Sequence, residues 1–262
     1  MSPPFVRTGP LTEAASYPDW AQQLLLDCHA AKRRVTGHEL YLRMRDAELG
    51  PMAMQLFLVG AWPVVEQFPQ YMAQNLLKVR YGRQRGEDMA RRFLIHNIRV
   101  AQSHAEHWIA WAEACGIGRA ELHAQRVPSE MHALSHWCWH ICAHDPLWLA
   151  MAATNYAIED ATGDWAALVC SSGAYEASFA PGARRRATRW LTLHAHDDAP
   201  PWEALEIVCT LIGTHADPST VAALRDAICK SYDYMRLILD RCLQAEVSRP
   251  PASPRKAFVQ LG

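Results

Sequence analysis

Long hydrophobic runs are missing from this 262-residue sequence, and none approaches the roughly 18 apolar residues a membrane span requires. The opening Met-Ser-Pro-Pro-Phe has neither the charged start nor the apolar stretch of an export signal, so the cytoplasm is the expected compartment. An excess of either charge is also missing: 26 Lys and Arg oppose 27 Asp and Glu, for a net charge of −1. The basic residues sit in short runs such as Arg83-Gln84-Arg85 and Arg184-Arg185-Arg186, which read as solvated helix faces. Neither a nucleic-acid partner nor a membrane partner is implied. The eight cysteines (28, 115, 138, 142, 170, 209, 229 and 242) form no CxxC pair and are scattered through apolar segments, so they read as buried thiols rather than a disulfide framework. There is no internal repeat and no alternating pattern of the kind a strand ladder needs.

Helical periodicity fills the space those absences leave. Apolar residues recur at helical spacing from Tyr17 to about Leu49, with a break near Thr36-Gly37. Pro51 can open the next helix from its first turn, and that helix runs to about Tyr81, with a kink or interruption expected at Pro63 and Pro69. A helix over Glu87–Cys115 is closed by Gly116 and Gly118. Further helices are expected over Ser129–Ala143, Leu147–Val169, Ala183–His196, Trp202–Gly213 and Pro218–Glu246. The predicted architecture is all-α: a single helical domain over residues 1–247, followed by a Pro- and Ser-rich tail over 248–262.

Three segments concentrate possible metal ligands. Gln102-Ser-His-Ala-Glu-His-Trp108 sets His104 and His107 on one helix face, and Glu159 stands in the apolar run 152–160. The third segment, 190–198, sets His194 and Asp198 a turn apart. A buried carboxylate is costly unless paired or bound to a cation, and helical bundles that hold iron deliver ligands from facing helices. Imidazole with carboxylate suits iron or manganese. Each residue also has a plainer reading: Glu159 as an ion pair with a core Arg, His107 on a solvated side, and the aromatic residues as packing. His136 and His140, four apart, form another candidate pair inside an aromatic packing face.

Several strings resemble the UndA-type fatty-acid decarboxylases: Arg7-Thr-Gly-Pro-Leu-Thr-Glu-Ala-Ala-Ser-Tyr-Pro18, Gly60-Ala-Trp-Pro-Val-Val-Glu-Gln-Phe68, Leu134-Ser-His-Trp-Cys-Trp-His140, Ala152-Ala-Thr-Asn-Tyr-Ala-Ile-Glu159 and Cys229-Lys-Ser-Tyr-Asp-Tyr-Met235. The likeness runs over about residues 5 to 246. The wider superfamily takes in TenA-type thiaminases, the PqqC-type oxidase of pyrroloquinoline quinone synthesis and heme-oxygenase-like di-iron oxidases. The resemblance implies a heme-oxygenase-like (TenA/PqqC-like) helical bundle and a non-heme site of one or two iron ions that activates O₂. It further implies a medium-chain fatty acid as substrate, a 1-alkene as product and an external electron donor. Homodimer formation is left open.

The same resemblance implies His104, Glu159, His194 and Asp198 as metal ligands, with Glu159 and His194 also as catalytic residues. Two positions depart from its pattern: Ala101 stands where the family has Glu, and Pro201 where it has His. The chain is one residue short in the third segment, which leaves Asp197 as a stand-in for Asp198, while His107 and His196 are further imidazoles nearby. Loss of a ligand weakens metal affinity, so a related oxidase or a fatty-acid or small-molecule binding protein with a degenerate site is the alternative. A thiamin-salvage hydrolase would carry a nucleophilic Cys about six residues before the central Glu, where this chain has Ala153. A DNA-binding role has no basic recognition helix behind it.

Overall fold

The computed structural model describes residues 14–197 and 202–247. Asp198, Pro201 and the tail over 248–262 lie outside the described residues. The described chain is helical, with no strand among the described residues. Helix α1 (Asp19–Thr36) begins after Pro18 and buries Ala21, Leu24, Cys28, Ala31 and Val35, the three-and-four spacing of an amphipathic stripe. Gly37 ends it, and α2 (Glu39–Arg45) starts at once because the His38 ring accepts the Leu40 N–H at 3.2 Å.

Helix α3 (Pro51–Leu76) is one continuous run that includes Pro63 and Pro69. The expected interruption at the prolines does not occur. Pro63 leaves the Val59 carbonyl without its helical N–H partner, and one residue earlier the Trp108 indole N–H donates to the Leu58 carbonyl at 3.0 Å.

The single helix expected over Glu87–Cys115 is two: α4 (Arg85–Ala101) and α5 (His104–Ala114). At the break the Ser103 hydroxyl donates to the Val100 carbonyl at 3.0 Å, offering the backbone a local alternative to the helix. Gly116, at φ +83°, closes α5, with the Ile117 N–H reaching back to the Ala112 carbonyl at 2.9 Å. Short α6 (Arg119–Ala124) follows, then a 3₁₀ turn at Ser129–His132 and α7 (Ala133–His144).

Helix α8 (Leu147–Met151), a π-helical segment at Ala152–Tyr156 and α9 (Ala157–Cys170) run on as one rod. After α10 (Ala174–Ala177), a second π-segment, Leu193–Asp197, continues α11 (Arg184–Thr192). The last helices are α12 (Trp202–Ile212) and α13 (Pro218–Val247). The start of α13 is fixed by Asp217, whose carboxylate accepts the Thr220 N–H at 2.9 Å.

Helix α9 sits in the middle of the bundle, packed against α1, α2, α11, α13 and the second π-segment. It buries Ala157, Ile158, Ala161, Trp165, Ala166 and Val169 together with the polar Asp160 and Thr162. One hydrophobic core runs through the described helices, with Trp62, Trp108, Trp111, Tyr41, Tyr71 and Tyr232 among its largest buried side chains. No helix among the described residues is long and apolar enough to cross a membrane.

Candidate active site

A cavity of about 80 Å³ opens between α3, α5, α9, α11 and α13. On this measure a single water needs roughly 10–15 Å³, so the space holds several waters or a compact head group. Its walls are mostly apolar: Phe57, Val64, Val65 and Phe68 from α3, Ile158 and Trp165 from α9, and Met235, Ile238 and Leu239 from α13. His104, Glu159, Thr162, His194 and Tyr41 supply its polar groups, and no Arg or Lys is found among the lining residues described.

The break between α4 and α5 puts Ala101 and His104 on this cavity together, the last residue of one helix and the first of the next. Ala101 is buried and its methyl group occupies the wall where the resemblance calls for a carboxylate. Glu159 comes from α9, three residues beyond the first π-segment, and His194 lies within the second. A π-turn holds one extra residue and rotates the helix beyond it, a device common at functional sites. Both of these ligand candidates are therefore aimed by a local departure from α-helical winding.

His194 is the best defined of the three. Its Nδ1 lies 2.8 Å from the Trp190 carbonyl oxygen. That oxygen can only accept, so Nδ1 carries the proton and Nε2 keeps a lone pair for a metal. The residue retains some exposure, but its imidazole is stacked on Trp190 at 3.8 Å and faces the His104 ring at 4.7 Å. Burial among these rings pushes its pKa down to about 4, partly opposed by the hydrogen bond to Trp190 and reinforced by nearby His107. The imidazole is neutral at physiological pH, the form that ligates. Trp190 in turn packs against Trp108, Trp111 and Trp165, and Tyr41 stacks on Trp165 at 4.6 Å. Burial holds the Tyr41 phenol well above its ordinary pKa, so it stays protonated.

The residue after Glu159 faces away from the cavity. Asp160 is only 4% exposed, and Lys32 of α1 bridges its carboxylate and that of Asp164, each at 2.7 Å. Nothing in the sequence pattern singled out Lys32 or Asp160. An acid beside the candidate ligand within an apolar helix was the available signal.

His104, Glu159 and His194 thus line one cavity. No group of three ligating side chains is gathered closely enough to hold an ion among the described residues. His107 does not line the cavity, while His136 and His140 are exposed on α7, stacked near His132, Trp137 and His144. These two belong to a solvated face. In kind, the two imidazoles and one carboxylate around the cavity fit ferrous iron, the donor set of many non-heme oxygenases.

Residues 55–206, which include all four candidate ligands, match a family described as iron-containing redox enzymes. A TenA homolog from Pseudomonas syringae is 57% identical to the chain, with a TM-score of 0.88, and the match covers 92% of this chain and 100% of that one. A TenA homologue from Pyrococcus furiosus is 13% identical with a TM-score of 0.69, over 85% of this chain and 99% of that one. A Shewanella denitrificans domain of unknown function with a heme oxygenase-like fold is 12% identical with a TM-score of 0.66, over 87% of this chain and 94% of that one. The last two likenesses concern the fold alone. No curated protein matches the chain.

Proposed function

The chain belongs to the family of iron-containing redox enzymes with the heme-oxygenase-like fold, and from that premise we propose that it is an O₂-dependent non-heme iron oxidase that decarboxylates medium-chain fatty acids to terminal alkenes. The observation that carries this reading is the pairing of His104 and His194, with their rings 4.7 Å apart, in an apolar cavity also lined by Glu159.

Bound iron would supply activation of O₂ and removal of a hydrogen from the substrate's β-carbon. Over the whole reaction, a fatty acid, O₂, two electrons and two protons become a terminal alkene, CO₂ and two waters. The two electrons require an external donor. His104 and His194 would hold the metal through neutral imidazole nitrogens, and Glu159 would complete the set by turning towards them. Because the described lining has no Arg or Lys, a substrate carboxylate has no protein cation to meet and would depend on the metal for its counter-charge. The alkyl chain would run along Met235, Ile238 and Leu239, which must part to admit it; the unbranched Met235 is the most adaptable of these. Trp190 and Trp108 would keep water from the reacting end.

Ala101 favours a second reading, a pocket that binds fatty acid without metal chemistry, because it brings a methyl group where a carboxylate would add charge. The name TenA, given to the Pseudomonas syringae relative, raises a thiamin-salvage hydrolase. Against it, no cysteine lines the cavity among the described residues and Ala153 is fully buried.

The test is anaerobic loading with Fe(II), removal of loose metal and metal analysis, followed by O₂, a reductant and lauric acid with gas chromatography for 1-undecene. The proposal expects retained iron and undecene. Ala101→Glu should tighten iron binding by roughly tenfold or more. Retention below about half an iron per chain, with no undecene, would sink it. Lauric acid binding of equal strength with and without iron would establish the second reading.

A further inference from the structure

Away from the cavity, two thiols from opposite ends of the chain touch. Cys28 Sγ on α1 and Cys229 Sγ on α13 lie 3.9 Å apart, across a sequence separation of 201 residues. Both are free thiols; Cys28 is buried and Cys229 half-buried. The rest of the contact is ordinary helix packing of α1 along the long α13. Two sulfurs in van der Waals contact need only about 2 Å of closure to reach disulfide length, which is within reach of side-chain rotation and a slight helix shift.

We infer that Cys28 and Cys229 form a redox-active dithiol, a modification site at which a peroxide closes a reversible disulfide between α1 and α13.

The half-exposed Cys229 meets the oxidant first. Its thiolate attacks one peroxide oxygen and breaks the O–O bond, so that Cys229 becomes a sulfenic acid and hydroxide leaves. Cys28 sulfur then attacks the Cys229 sulfur and displaces its hydroxyl group, which departs as water with the Cys28 proton. Two thiols and one hydrogen peroxide thus become one disulfide and two waters. Burial, and the neighbouring Cys229 thiol, hold the Cys28 thiol well above its ordinary pKa, so it waits protonated as the resolving partner.

The bond would join α1, which packs on the outer side of α9, to α13, which lines the cavity. Helix α1 contributes Lys32, which pins Asp160 beside Glu159, and α13 contributes Met235, Ile238 and Leu239 to the cavity wall. An oxidase that leaks peroxide would produce the oxidant in place, but the inference does not need that source and holds whether or not the cavity binds iron.

The test is peptide mapping of the metal-free protein, alkylated after graded treatment with hydrogen peroxide. Trypsin releases Cys28 in Thr8–Lys32 and Cys229 in Asp226–Lys230, each the sole cysteine of its peptide. The expected product is these two peptides joined, two fewer free thiols per chain and a higher Tm, all reversed by dithiothreitol. Cys229→Ser should abolish the link and leave Cys28 alkylatable. The inference is overturned if peroxide drives either cysteine to sulfinic acid without the joined peptide. It is equally overturned if Cys28 pairs with other cysteines as often as with Cys229. Because the measurement is made without iron or substrate, failure here leaves the oxidase reading standing, and failure of iron loading leaves the dithiol standing.

Discussion

At the scale of single residues, His194 shows how a side chain is prepared before any ligand arrives. Its proton is fixed on Nδ1 by the Trp190 carbonyl, and its pKa of about 4 lies below the ordinary 6.5. Above pH 6.5 the ring is neutral in folded and unfolded chains alike. Between 6.5 and 4 the unfolded chain takes up a proton that the folded one refuses, so stability falls as pH falls through that window. In the metal-free protein the urea unfolding free energy should drop by about 1–2 kcal/mol from pH 7 to pH 5 on this account. His194→Gln should remove that part of the slope; an unchanged slope would show that the ring is not held neutral. His104, Glu159 and His194 could be named from family strings because those strings are local. Their convergence on one cavity, and the stacking of His194 on Trp190, depend on helix packing that no local string encodes.

The site also depends on whole elements. The break at Gln102-Ser103 and the two π-segments place Ala101, His104, Glu159 and His194, and none of the three was legible in the sequence. A π-turn inserts one residue into an apolar run whose periodicity looks the same either way, and one serine hydroxyl decided between one helix and two. Helix starts and stops at Thr36-Gly37, Pro51 and Gly116 were legible because proline and glycine act locally. Helix α4 reaches the site by crossing close to α12 at Gly86, where an added Cβ would lie 2.9 Å from Leu211 Cγ and 3.0 Å from the Leu211 backbone nitrogen. Backbone cannot rotate aside. Gly86→Ala should therefore destabilise the protein by about 1–3 kcal/mol in urea unfolding, and a neutral result would mean the two helices can separate freely.

Across the whole molecule, the all-α class and the single core follow from composition and periodicity, but the polar tie through the bundle does not. Lys32 on α1 holds Asp160 and Asp164 on the central helix, joining the first helix to the middle of the fold. Lys32→Met would strand the buried Asp160 carboxylate, with an expected loss of about 3–5 kcal/mol in unfolding free energy. Adding Asp160→Asn should recover part of that loss, and its failure to do so would mean that Lys32 acts by packing rather than by charge.

The tryptophans at the cavity wall and just behind it have one more consequence, an optical one. Four of the ten, Trp108, Trp111, Trp165 and Trp190, lie close enough to pass excitation among themselves, and one of them rests directly on the His194 ring. Excitation shared within this group reaches Trp190 among the others, so a paramagnetic ion seated at the imidazoles would quench part of the cluster's emission. The core thereby doubles as a built-in lamp for the site, readable without a label.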